Sequence, residues 1–308
     1  MKTEQDYPIG VAGQKWEKAD IEKWRAIQKV KRSYQDDVLE KISALGDHLT
    51  VIQYGELAYS SDHFPLYALK SSHWRNDRPS VLVTGGVHGY ETSGVHGALS
   101  FADEALKAYS NLANFIIIPC VSPWGYETIN RWNPDAIDPN RSFYRGSPAQ
   151  ESALLMAFID SLAVEFIAHI DLHETTDTDN SEFRPALAAR EAIEQKQWDI
   201  PDGFYLVGDT TKPVDAFQGA IIDKVRSITH IAPADQQQRI IGESITQFGV
   251  INYAARELGL CMGITNAPYV TTTEMYPDSL FVNDDICIKA QVAAVCGALD
   301  YLNSSIKQ

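Results

Sequence analysis

The stretch VLVTGGVHGYETSGV at 81–95 limits what this chain can fold into more than any other. An apolar run rich in β-branched side chains meets a glycine pair, then a short polar turn, then a pattern that can open a helix. A run without polar alternation suits a strand buried on both faces, and such strands sit inside parallel sheets covered by helices. The turn leaves two residues between His88 and Glu91. Imidazole nitrogen and carboxylate oxygen are both zinc ligands, and a catalytic zinc needs a third ligand from elsewhere and one open position.

Away from this stretch, strand and helix patterns alternate. Residues 13–45 are charged and helical in period, with Trp16, Ile21, Trp24, Ile27 and Val30 near one face, and predict one or two amphipathic helices laid outside the main domain. Short β-like runs follow at 49–54 and 65–70, then the strand at 81–84, a helix after Glu91 and an apolar strand at 115–119. Residues 122–148 form a long loop rich in Pro, Asn, Asp, Arg and Gly; its several aromatics argue against disorder and for function. Next come a helix at 150–163, a strand at 166–172, an acidic loop at 174–186, a strand at 203–208 and a helix at 213–227. The remaining patterns predict a helix near 250–258, strands at 260–265 and 269–274, and a last helix at 284–302. Such alternation predicts an α/β fold with a mixed, largely parallel central sheet and helices on both faces. No repeat or linker divides the chain, so 1–308 reads as a single domain with 13–45 as a peripheral helical extension.

A net charge of −15 argues against nucleic acid or an anionic membrane as the main partner, because both demand concentrated Lys and Arg. Cys120, Cys261, Cys287 and Cys296 are scattered among apolar neighbours and read as buried reduced thiols. No apolar stretch is long enough to span a bilayer, and the first residues lack a signal peptide's apolar core, so a cytoplasmic location is expected. Nothing in the sequence sets the oligomeric state.

A third ligand is best sought at a strand end. His173 closes the segment D-L-H at the C-terminal edge of the 166–172 strand, the edge where open α/β sheets bind ligands. His169 lies on the same strand face and is a rival; His96 falls on the helix after Glu91 and reads as packing or surface. Together His88, Glu91 and His173 make a two-histidine, one-carboxylate set with room for water.

Five segments in order, H-G-Y-E at 88–91, N-R-W-N-P at 130–134, D-P-N-R-S-F at 138–143, D-L-H at 171–173 and T-T-T-E at 271–274, resemble the M14 zinc carboxypeptidase superfamily. That superfamily includes the succinylglutamate desuccinylase and aspartoacylase deacylases. The resemblance covers about residues 50–300. It implies one Zn2+ per chain on His88, Glu91 and His173, with Asp138 hydrogen-bonding the first zinc histidine. Arg131 would polarise the scissile carbonyl, Asn140 and Arg141 would grip a substrate carboxylate, and Glu274 would serve as general base and acid. The family's mobile, substrate-closing tyrosine matches either Tyr253 or Tyr269.

The function so implied is a metallocarboxypeptidase that hydrolyses the C-terminal amide bond of peptides with zinc-activated water. An N-acyl amino acid deacylase would use the same groups, but deacylases of this superfamily carry a β-rich domain after the catalytic glutamate, and the residues after Glu274 read as one helix. An inactive carboxylate-binding module is a third reading, which loss of Glu274 or of a zinc ligand would have favoured. His88 comes too early for a large inhibitory pro-domain, so activation by cleavage is not expected. The acidic residues Glu174, Asp177 and Asp179 directly follow the third ligand, which suggests a pocket favouring C-terminal Lys or Arg.

Overall fold

The computed structural model describes residues 7–59, 62–194 and 199–306. Among the described residues ten strands form: β1 Leu49–Tyr59, β2 Asp62–Ser71, β3 Ser80–Gly85, β4 Asn114–Ile118, β5 Phe166–Glu174, β6 Tyr205–Asp209, β7 Arg239–Ile240, β8 Glu243–Ser244, β9 Val250–Tyr253 and β10 Tyr269–Met275. Eight make the central sheet, in the order β1-β2-β4-β3-β5-β10-β6-β9, and β7 and β8 pair separately. At its centre β4, β3, β5 and β10 run parallel. The hairpin β1–β2 joins antiparallel to β4 on one side, and β6 joins antiparallel to β10 on the other, with β9 parallel to β6. The mixed, largely parallel α/β sheet expected from the sequence is therefore present.

Period-2 alternation sorts the central strands onto two faces. Val81, Val83, Phe115, Ile117 and Ile170 face a core closed by the helices Thr92–Ser100, Asp215–Val225 and Asp284–Ile306. Leu82, Ile116 and Ile118 face the opposite core, which Leu155 and Ile159 of the helix Gln150–Ser161 close. Because both faces are covered, the central strands need no polar side, and their apolar runs follow. Cys120, Cys261 and Cys287 are buried, Cys296 is half-buried, and all four are free thiols.

Several local expectations are corrected. The helix near 250–258 is instead β9 followed by a turn: Val250, Ile251 and Tyr253 favour extended backbone, and β6 supplies the pairing edge. The strand at 260–265 is a short helical turn at Cys261–Gly263, entered through Gly259 at φ +65°. Within the acidic loop, helical backbone begins at Asp179 and runs on into the helix Arg184–Glu191, and the long loop contains the helix Pro123–Thr128. On the N-terminal segment only part of the apolar stripe packs. The helix Lys18–Ile27 seats Trp24 against Trp124 and Trp132, while Ile27 and Val30 are exposed because Gln28 leaves the helix in an extended conformation.

All the central parallel strands end on one edge. The turn after β3, the last residues of β5 and those of β10 therefore meet, with Glu274 in direct register with His173.

Candidate metal centre

The turn after β3 is built to approach its neighbours closely. Gly86 sits at φ +60°, and a Cβ on Gly89 would fall 2.1 Å from the Ser122 carbonyl oxygen. The Ser122 hydroxyl donates to the Val87 carbonyl at 2.6 Å. Arg32, from the N-terminal segment, clamps the outer side. Its guanidinium donates to the Gly89 carbonyl (2.9 Å), the Thr92 hydroxyl (2.6 Å) and the Tyr126 carbonyl (2.6 Å), and its carbon lies 3.6 Å from the Tyr126 ring centroid. No motif marks Arg32, so sequence reasoning passed it over.

Inside this turn His88, Glu91 and His173 converge, each almost fully buried. His88 Nδ1 lies 2.7 Å from Glu91 Oε1, and His173 Nδ1 lies 2.7 Å from Glu91 Oε2. Each ring's far nitrogen meets another carboxylate at 2.9 Å: His88 Nε2 at Asp138 Oδ1, and His173 Nε2 at Asp171 Oδ2. With both Nε2–H groups donating outward, the neutral tautomer turns each Nδ1 lone pair toward a carboxylate oxygen. Two lone pairs at that range repel unless a cation lies between them or both rings are protonated. Glu91 Oε2 makes no hydrogen bond despite its short distance to His173. These donors fit a zinc ion, and the outward carboxylates are the partners that orient ligating histidines.

Charge and burial contend throughout. Burial opposes ionisation of Glu91, but His173 and His88 outweigh it and hold the carboxyl down at about 2. Burial also works against a charged His173, and there Glu91 and Asp171 prevail, raising it well above the usual imidazole value. Asp138 is held low against burial by Arg131 and His88. Its Oδ1 also caps the following turn by accepting from the Asn140 amide at 2.9 Å.

Arg131 is held by two carboxylates, Nε to Asp138 at 3.1 Å and Nη1 to Asp179 at 3.2 Å, with its guanidinium carbon 4.3 Å from the Phe183 ring centroid. Arg141 donates Nη1 to the Asn140 carbonyl at 2.7 Å and faces the same cavity. The Asn140 side chain is turned inward: Oδ1 accepts from the Cys261 amide at 2.8 Å and Nδ2 lies 3.4 Å from His173 Nε2. Glu274 lines the cavity, with Oε2 accepting from the Thr175 hydroxyl at 2.8 Å. Burial pushes its carboxyl up to about 7, while His173 pulls the other way. The cavity, of about 310 Å³, brings Arg131, Arg141 and Glu274 together with His88 and Glu91.

Of the two tyrosines, Tyr253 lines this cavity, whereas Tyr269 packs between Phe217 and Tyr301 at centroid distances of 5.3 and 5.7 Å. His169 is not gathered with His88 and Glu91. It groups instead with Asp171 and Cys261 in a second buried cluster, at whose centre sits the Thr84 hydroxyl, 2.6 Å from Asp171 Oδ1 and 2.9 Å from His169 Nε2. With that hydroxyl in place, the cluster is a hydrogen-bonded support behind His173. Of the acidic residues after His173, Glu174 and Asp179 line the cavity, and each already has a partner. Glu174 is buried on the Ser93 amide (2.6 Å) and pushed up by burial to about 7, Asp179 is committed to Arg131, and Asp177 accepts from Tyr276 on the surface.

Residues 38–182 match the family model of the M14 peptidases, the zinc carboxypeptidases, a span that holds His88, Glu91, Arg131, Asp138, Asn140, Arg141, Asp171 and His173 but not Arg32, Tyr253, Cys261 or Glu274. No curated protein matches the chain. Among solved structures, a candidate metallopeptidase of Shewanella amazonensis SB2B superimposes with TM-score 0.66 at 19% identity, covering 89% of this chain and 98% of that one. Another from Shewanella denitrificans OS217 gives 0.63 at 21%, covering 86% and 87%. A Pseudomonas aeruginosa metallo-carboxypeptidase, solved with (2-guanidinoethylmercapto)succinic acid, gives 0.57 at 12%, covering 86% and 67%. At such identities the likeness is one of fold. Taken with the family-model match over residues 38–182 and the ordered motifs, it makes this chain similar to the M14 zinc carboxypeptidases in fold and in motif order.

Proposed function

We propose that the chain is a zinc-dependent metallocarboxypeptidase that removes the C-terminal residue of peptides, working as one catalytic unit with one zinc ion per chain. The observation that carries this reading is the pair of Nδ1 atoms, each 2.7 Å from one oxygen of Glu91, at the wall of a cavity shared with Arg131, Arg141 and Glu274. His88, Glu91 and His173 would hold the zinc, which when bound supplies Lewis acidity to water and to the scissile carbonyl. Asp138 and Asp171 keep the two imidazoles in the tautomer that presents Nδ1. Arg131, fixed in direction by Asp138 and Asp179, offers its remaining N–H groups to the charge that develops on the carbonyl oxygen. Arg141 meets the free carboxylate of the substrate with a planar fork, and Tyr253 stands beside it as the closing group. Asn140 acts with Arg141 by fixing the backbone turn from which it projects. Glu274 takes a proton from water and returns it to the leaving amine.

The test combines metal analysis of the purified protein with a panel of peptides and N-acyl amino acids. Peptide hydrolysis that stops with chelation and returns with zinc supports the reading, and Glu274→Gln should lose about 10³-fold in kcat while keeping its metal. Turnover confined to N-acyl amino acids would replace it with a deacylase; metal binding without turnover of either class would leave a carboxylate-binding module.

A further inference from the structure

Behind Glu274 the cavity wall carries two hydroxyls, those of Thr175 and Tyr205, to which the steps above give no role. Both are placed by the backbone that places Glu274. Thr175 lies two residues past His173, and its amide donates to the Met275 carbonyl at 3.0 Å. Tyr205 stands opposite Glu274 in the β10–β6 register. The Thr175 hydroxyl is 2.8 Å from Glu274 Oε2 and 2.7 Å from the Tyr205 phenol oxygen, and the phenol is fully buried.

We propose that Thr175 and Tyr205 are positioning residues that hold the Glu274 carboxylate by Oε2 and leave Oε1 for the attacking water. This rests on Glu274 being the base. Donor counting sets the direction of the chain. A carboxylate only accepts, so the single Thr175 proton goes to Glu274, and the phenol must then donate to Thr175. Every proton has a partner when Glu274 is ionised. If Glu274 instead carried a proton and gave it to Thr175, the Thr175 proton would turn to Tyr205 and leave the buried phenolic O–H without an acceptor in the chain, a costly arrangement. The same pair of bonds therefore fixes the rotamer of the base. Thr175 is on the strand end that carries His173, so base and metal ligand are held in one frame.

The experiment uses the full zinc-loaded chain with Thr175→Val, Thr175→Ser, Tyr205→Phe and Glu274→Gln, reading kcat, KM, zinc content and melting temperature. Thr175→Val keeps the shape and removes the donor; it should lose about 10- to 100-fold in kcat, the scale of a misplaced reacting group, with KM and zinc content held. Thr175→Ser should return close to the native rate, and Tyr205→Phe should fall between. Native turnover in Thr175→Val, a Thr175→Ser variant as slow as Thr175→Val, or a loss that appears in KM would overturn the positioning role. Should Thr175→Val not fold, native turnover in Tyr205→Phe would overturn it. An active Glu274→Gln enzyme would instead remove the base assignment itself, and an inactive one beside an undisturbed Thr175→Val would remove this inference alone.

Discussion

Arg32 offers a sharp test of whether the N-terminal segment is part of the metal centre's support. Its guanidinium makes three hydrogen bonds of 2.6–2.9 Å, two of them to Gly89 and Thr92 on either side of the Glu91 turn, and stacks on Tyr126. Hydrogen bonds from a charged donor contribute about 1.5–3 kcal/mol each and a cation–π contact about 0.5–2. Their plain sum overstates the effect, because the head group is only half-buried. Arg32→Met keeps the stem and removes the head, and an expected loss of about 2–4 kcal/mol follows after that discount. Urea denaturation of the zinc-loaded protein would show it as a lower midpoint at unchanged slope. Zinc affinity, read by competition with a chelator, should fall by about tenfold, since His88 and Glu91 lose the anchor of the turn between them. Arg32→Lys can restore only part of a three-way fork and should recover less than half of the loss. A stability change within about 0.5 kcal/mol, the range of ordinary surface substitutions, would refute the clamp.

Asp171→Asn should weaken zinc binding by about 10- to 100-fold with the fold intact, because it removes the charged partner of His173 Nε2; unchanged affinity would mean that His173 orients itself. Trp132→Ala, which removes the ring against which Trp16, Trp24, Phe183 and Arg190 pack, should cost about 3–5 kcal/mol in the same denaturation assay. In the metal-free protein, Glu174 and Glu274 have folded values raised to about 7 from an ordinary 4.5. A raised folded value binds the proton more tightly, so this stabilisation is fully present below 4.5 and is lost as pH climbs through 7, up to about 3 kcal/mol per group. Zinc binding runs the other way, because its ligands must be deprotonated. Melting temperatures measured with and without zinc from pH 5 to pH 8 should therefore diverge as pH rises, and a constant gap would contradict the titration.

Of the candidate site residues, His173 was legible from its place at a strand end, whereas Arg131, Asp138, Asn140, Arg141 and Glu274 came from the resemblance of the ordered motifs. His173 could be chosen over His169 because a ligand belongs at the C-terminal edge of a parallel strand, and the structure places Glu274, which the resemblance supplied, at the matching point of β10. Apolar runs located the central strands for the same reason, since both of their faces are buried. Arg32, Thr175 and Tyr205 escaped because their roles depend on contacts between distant segments, which local patterns do not encode. Composition could not show that the acidic loop's Glu174 and Asp179 are bonded to Ser93 and Arg131. Similarly, 250–258 carries both helix-forming and β-forming residues, and the open edge of β6 decided the outcome. For Tyr253 and Tyr269 the sequence offered two equal matches; packing of Tyr269 between Phe217 and Tyr301 separates them.

The two imidazoles also explain why the fold concentrates so much buried charge in one place. Glu91, Asp138 and Asp171 are all buried, and removing carboxylates from water is expensive unless cations and hydrogen bonds repay it. Arg131 answers Asp138 and Asp179, and Thr84 answers Asp171, but nothing comparable answers Glu91 except the two rings that need their Nε2 protons for Asp138 and Asp171. Without a metal, the protein must protonate both rings fully or leave lone pairs facing a carboxylate. A dication at the Nδ1 side satisfies Glu91 and both histidines at once, and it does so without disturbing either outer carboxylate. The arrangement therefore makes metal affinity and folding stability two readings of the same electrostatic balance: Glu91→Gln, which leaves His173 without its carboxylate partner, should destabilise the metal-free chain and weaken the hold on zinc. Parallel chelator competition and metal-free urea titrations would measure the two effects, and a variant whose metal-free stability was unchanged or raised would show that the Glu91 charge contributes nothing to the fold.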